Sequence, residues 1–170
     1  MNEIIAYFSS IPSSHRSLIL VSGITIFWLI ENTFPLFKFS YKKWNHAGIN
    51  FFFTFTTIII NFLLAFILLQ TANWTIENNF GILQWLPKMN VGLYAILGLL
   101  LLDLIGAYLV HWIEHKIPVL WRFHLIHHSD TWIDTTSANR HHPGESVIRF
   151  VFTTLGVLVV GTPMWVVFLY

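Results

Sequence analysis

Cysteine is absent from the 170 residues, which excludes disulfides, thiolate metal sites, iron–sulfur clusters and a cysteine nucleophile. Any metal must therefore be held through nitrogen or oxygen. Charge is scarce as well: 10% of residues are Asp, Glu, Lys or Arg, against about 25% in an ordinary soluble domain. A net charge of +1 provides no basic field to hold a nucleic acid, so no nucleic-acid partner is expected. Low-complexity tracts and Gly/Ser linkers are also missing. The opening stretch MNEIIAYFSSIPSSHR lacks a basic n-region and carries Glu3, so it does not read as a cleaved signal peptide and its hydrophobic span is expected to stay.

What the chain does have is hydrocarbon. It is 55% hydrophobic with a mean hydropathy of +0.65, which marks an all-α integral membrane protein. A spanning helix needs about 20 mostly apolar residues, and four stretches qualify, roughly 17–37, 47–70, 90–110 and 147–170. Pro35 is expected to end the first. No internal repeat is visible, so residues 1–170 read as one membrane domain. Lys38, Lys42 and Lys43 between the first two spans place that loop in the cytosol by the positive-inside rule. Alternation then puts 71–90 outside and 111–146 inside, where Lys116, Arg122 and Arg140 agree with that side. This last segment is expected to form a cytosolic cap of short helices near the interface.

Seven of the nine histidines fall within residues 111–142. His111 and His115 are four apart, so on a helix they share one face. His124, His127 and His128 form H-x-x-H-H, again with i, i+3 and i, i+4 pairs, and Trp121 and Phe123 are expected to anchor this segment in the interface. His141 and His142 follow a polar stretch, and Pro143 argues against a helix running through them. Neutral imidazole binds metal without first losing a proton. It suits zinc, copper and iron, and more than four such nitrogens point to more than one ion.

HWIEH, LWRFHLIHHSD and RHHPGE, in that order, resemble the fatty acid hydroxylase/sterol desaturase superfamily of membrane oxygenases over about residues 103–146. The resemblance implies two histidine-bound irons, for which zinc can substitute in a purified protein. With O2 as co-substrate they would hydroxylate or desaturate a C–H bond of a lipid drawn from the bilayer. Box by box, it carries His111 and His115, then His124, His127 and His128, then His142 as metal ligands; His141 stands where an apolar residue is usual and is kept as a further candidate. Asp103 falls where the family often has an acid, with the register to the first histidine one residue longer here. Nothing resembles a haem, nicotinamide or flavin fingerprint, so a separate electron-donor protein is expected. The chain departs from the family in Trp112, where Arg is usual, and in lacking a further H-x-x-H-H box downstream. It therefore reads as a fragment with an incomplete ligand set, expected to bind metal poorly and to be slow or inactive by itself.

Around the ligands, Asp103, Tyr108, Glu114 and Glu145 are candidates for supporting positions. On a uniform helix Asp103 lies about 80° from His111 and Tyr108 about 20° from His115. Glu31 is expected to pair with Lys38 or Lys42, and His15 and His46 to be interfacial polar residues. The Asn73-Trp-Thr75 sequon is read as noise. HWIEH also fits H-x-x-E-H, in which two histidines hold zinc and Glu114 serves as general base of a membrane peptidase. That reading leaves His124, His127, His128 and His142 without a role. A non-catalytic metal transporter is the third alternative; it would need polar groups along the spans, where Asp103 stands nearly alone.

Overall fold

The computed structural model describes residues 2–9, 11–35 and 41–170; Lys38 and the end of the expected first span lie outside them. Every regular element among the described residues is helical: α1 (Asn2–Ser9), α2 (Ser13–Thr33), α3 (Lys43–Glu77), α4 (Ile82–Trp85), α5 (Val91–Asp103), a π-helical segment (Leu104–Leu109), α6 (Val110–Lys116), α7 (Pro118–His128), a 3-10 turn (Thr135–Asn139), α8 (Pro143–Val160) and α9 (Met164–Val167). Among the described residues, three helical stretches are long and apolar enough to cross a membrane: Lys43–Trp85, Val91–Lys116 and Pro143–Val160. The expected first span is helical as α2, but Arg16 and Glu31 fall inside it and α2 is not among those three. The expected last span is broken. Gly161, at φ 73°, caps α8 in the left-handed region, and only the short α9 follows.

Small residues let the spans approach. Gly106 of the π-helical segment is buried, and a Cβ there would lie 3.1 Å from Tyr170 Oη and 3.2 Å from Thr153 Oγ1 of α8. One helical turn's length further along α8, Gly156 faces Leu102 and Ile105. Such contacts let helix backbones come close in a bilayer, where lipid tails offer no hydrophobic drive. The buried cluster Ala72, Leu102, Val157 and Val166 joins α3, α5, α8 and α9, with Leu68, Tyr94 and Met164 packed against it. At the same end of the molecule Gln84 donates to the Gly161 carbonyl at 2.7 Å. Gly81 (φ 110°) passes so close to Gly161 that a side chain would overlap its backbone.

At the other end the helix termini carry the chemistry. α8 starts at Pro143, whose fixed φ and missing N–H suit a first helical position. His142 caps it, its Nδ1 accepting from the Gly144 N–H at 3.0 Å. The chain turns at Ile117, which is extended, and Pro118 opens α7, so α7 folds back along α6.

Candidate metal centre

The reversal at Ile117–Pro118 brings two i, i+4 histidine pairs face to face, His111 and His115 on α6, His124 and His128 on α7. Their Nε2 atoms approach head-on: His111 to His115 at 3.0 Å, His115 to His128 at 3.1 Å and His128 to His124 at 3.0 Å. One ligand nitrogen from each of the four lies within 4.8 Å of all the others. A neutral ring nitrogen offers one in-plane hydrogen or one in-plane lone pair. The three contacts therefore cannot all be hydrogen bonds, because His115 and His128 each face two neighbours. Four lone pairs around one cation satisfy all four nitrogens. Metal–nitrogen bonds of about 2.0–2.1 Å place neighbouring ligands about 2.9–3.4 Å apart, depending on the angle at the ion, which brackets the observed spacing.

The opposite edge of His124 fixes which nitrogen faces that point. Its Nδ1 lies 2.9 Å from Glu145 Oε1 and 3.3 Å from Glu114 Oε2, with all three residues fully buried. A proton on Nδ1 shared with these carboxylates leaves Nε2 with its lone pair free toward the cluster, the usual support of a metal-bound histidine. Arg149 closes the arrangement, its Nε donating to Glu145 Oε1 at 3.0 Å and its Nη2 lying 3.5 Å from Glu114 Oε2. This guanidinium balances the buried carboxylates and occupies the place of a cation beside them. Burial holds the His124 pKa below the ordinary histidine value, against the opposing hydrogen bond that His124 donates to Glu145. Trp121, expected as an interfacial anchor, packs on the cluster, its ring 5.1 Å from that of His115 and 5.4 Å from that of His128.

The remaining histidines of the boxes lie beside this group. His127 stacks between His124 (5.5 Å) and His141 (5.0 Å). Its Nδ1 is buried and without a partner, and burial pushes its pKa down to about 4, with repulsion from His141 adding to the effect. His141 Nδ1 contacts Glu145 Oε1 at 2.9 Å. His142, besides capping α8, stacks on Phe123 at 4.9 Å. Glu114 and Glu145 sit on the protein side of His124, as supporting groups would. Asp103 and Tyr108 do not reach the cluster face: Asp103 is exposed, and Tyr108 is 64% exposed. The π-helical segment follows Asp103 and contains Tyr108, so the angles of a uniform helix do not hold for either. A π turn accommodates about one extra residue, rotating the helix beyond it by about 100° relative to a uniform α-helix.

A second polar assembly, outside the histidine boxes, ties the 129–140 segment to α2 and α3. His46, expected at the interface, is buried, with Nε2 2.8 Å from Asp130 Oδ1 and Nδ1 3.1 Å from Asp134 Oδ2. Tyr41 donates to Asp134 at 2.6 Å. Asn50, one turn beyond His46, donates to Thr136 and accepts from Arg140. Glu31 accepts from Thr135 N–H at 2.7 Å and lies 3.5 Å from Lys43 rather than from Lys42; the other expected partner, Lys38, lies outside the described residues. Burial raises the Asp134 pKa, but the hydrogen bonds from Thr136 and Tyr41 outweigh it and hold the carboxyl below the ordinary aspartate value. The i, i+4 pair His46 and Asn50 and the run of hydroxyls and carboxylates at 129–140 were the available sequence signals. Arg149, in an apolar helix, had none.

Residues 95–170 match the family model described as fatty acid hydroxylase. Over 80 residues the chain is 25% identical to the ornithine lipid hydroxylase OlsE of Rhizobium tropici, an alignment covering 47% of this chain and 24% of that protein. The matched part thus spans about a quarter of that relative's length. Both findings support the fatty acid hydroxylase superfamily, the one that the histidine boxes resemble. No solved structure matches the chain.

Proposed function

Given the fatty acid hydroxylase match of residues 95–170, we propose that the protein is a membrane-bound, O2-dependent non-haem iron oxidoreductase that attacks a C–H bond of a lipid. The observation that carries this is the convergence of four Nε2 atoms from α6 and α7, a donor set that suits iron or zinc. Bound iron would supply the redox chemistry that couples dioxygen to an unactivated C–H bond.

The residues have distinct tasks in this reading. His111, His115, His124 and His128 hold one ion. Glu145, with Glu114 beside it, keeps the proton of His124 on Nδ1 and so holds its Nε2 lone pair toward that ion. Arg149 keeps the two carboxylates compensated in a buried place where unpaired charge is costly. His127 and His141 are the nearest remaining imidazoles for a second ion, His141 Nδ1 already facing Glu145 Oε1, and no group of three ligands that includes them forms among the described residues. Substrate enters from the bilayer, and electrons come from a separate donor protein at the cytosolic face. Hydroxylation and desaturation begin with the same hydrogen abstraction, so the site serves either.

The peptidase alternative fares worse, because Glu114 is fully buried and faces the Nδ1 edge of His124, away from where a metal-bound water would need a base. The test is metal content and oxygen-dependent lipid oxidation of the purified full chain in lipid nanodiscs, with a chemical reductant supplied in place of the donor protein. His128→Ala should abolish oxidation and release the ion, while Glu114→Gln should retain oxidation. Proteolysis abolished by Glu114→Gln and indifferent to His128→Ala would reverse the assignment.

A further inference from the structure

Below the metal cluster, a cavity of about 590 Å³ opens between α3, the π-helical segment, α8 and α9. That volume is in the usual range for a ligand pocket, about 300–1,000 Å³. Its polar lining is graded. Arg149 and His141 stand at one end, and both touch Glu145, which orients His124. One step deeper are Thr57, already bonded to Ser146 at 2.8 Å, then Asn61 and Thr153; Leu68 and Met164 close the far end.

Asn61 is the unusual member. It lies about halfway along the 35-residue α3, roughly 27 Å from its start, within a stretch long and apolar enough to span. Its amide is exposed and has no hydrogen-bond partner among the described residues. A neutral amide at mid-membrane calls for a partner, because hydrocarbon supplies none. A charged partner is disfavoured at this depth, and the cavity's charged groups are confined to the other end. Lipid tails alone would leave the amide unsatisfied.

We propose that this cavity takes a lipid bearing an uncharged hydrogen-bonding group, an amide, ester or hydroxyl, within its chain region, and that Asn61 meets that group. The chain beyond it would lie against Leu68 and Met164. Only the action on lipid is taken from the proposed function; Asn61 is a specificity-determining residue rather than part of the metal centre.

The test is native mass spectrometry of the full chain in non-ionic detergent with two probes of equal length, N-dodecylhexanamide and nonadecane. The wild type should bind the amide about fivefold more than the alkane, the worth of roughly one net hydrogen bond. Asn61→Leu, of similar size, should erase that preference with alkane binding unchanged, and Asn61→Gln should keep it. His128→Ala should leave the preference intact even where it abolishes oxidation, so failure of the oxidation reading is separable from failure of this one. Equal binding of both probes by the wild type overturns the proposal, as does a preference that survives in Asn61→Leu. So does a dimer dissolved by Asn61→Leu, because the partner of the amide would then be a second copy of the chain.

Discussion

Glu145 is the residue on which the cluster's orientation turns. Its Oε1 alone faces His124 Nδ1, His141 Nδ1 and Arg149 Nε, at 2.9, 2.9 and 3.0 Å. Replacing it with Gln keeps the shape but removes the charge that favours a proton on Nδ1, so His124 is freer to turn its N–H toward the cluster. Supporting carboxylates of this kind are worth about 10–100-fold in metal affinity. Glu145→Gln should therefore weaken zinc or iron binding by about that factor in a chelator competition, with the helical content unchanged by circular dichroism. An affinity equal to wild type would mean that the four histidines are oriented without it. Asp134 is the corresponding residue in the clasp on α3. Its folded-state pKa is depressed, so its contribution is fully present above the ordinary aspartate value of about 3.9 and is lost as pH falls through the lower folded value. Asp134→Asn should cost about 1.5–3 kcal/mol at pH 7, the range for hydrogen bonds to a charged group. The gap to wild type in thermal unfolding should close toward acid; a gap independent of pH would show that the carboxylate charge is not what holds the segment.

Among the helices, the features legible in the sequence are those that short-range periodicity encodes. Two i, i+4 histidine pairs flanking Ile117–Pro118 already contain the cluster, because each pair shares a helix face and the Pro starts a new helix. The all-helical class was legible for the same reason. The π-helical segment was not: no single residue in LIGAYL announces it. It invalidates the uniform-helix angles that related Asp103 to His111 and Tyr108 to His115, and both side chains are exposed. The clasp of His46 on Asp130 and Asp134, and of Asn50 on Thr136 and Arg140, joins residues more than 80 positions apart, and such pairings are invisible to local patterning. The π-helical segment also carries Gly106, where a Cβ would meet Tyr170 and Thr153 at 3.1–3.2 Å. Gly106→Val should overpack this contact at a cost of about 1–3 kcal/mol, seen as a lower unfolding temperature. Gly23, with open space around it, should accept Val with little change; equal behaviour of the two variants would sink the close-packing account.

From one end of the bundle to the other, the polar chemistry is sorted to a single side. The start of α3, the end of α6, α7, the 129–142 segment and the start of α8 meet there through His46, Asp130, Asp134 and Glu145. Asn78, Gln84 and Gly161 mark the other end, where Gln84 bonds Gly161. The basic residues divide accordingly. Lys42, Lys116 and Arg122 are exposed at the histidine end, and Lys88 and Arg16, the latter over the Phe168 ring, at the opposite one. Arg140 is drawn into the clasp and Lys43 toward Glu31, yet the remaining excess still points to a cytosolic histidine end. Absence of native cysteine makes this directly measurable with single-cysteine variants. Ala138→Cys and Asn78→Cys both replace exposed residues, one at each end. In intact cells a membrane-impermeant maleimide should label Asn78→Cys at once and Ala138→Cys only after permeabilisation. The reverse pattern would place the histidine end outside and remove its access to a cytosolic electron donor. The helix packing and the histidine cluster would be untouched by that result, since neither depends on which leaflet lies above them.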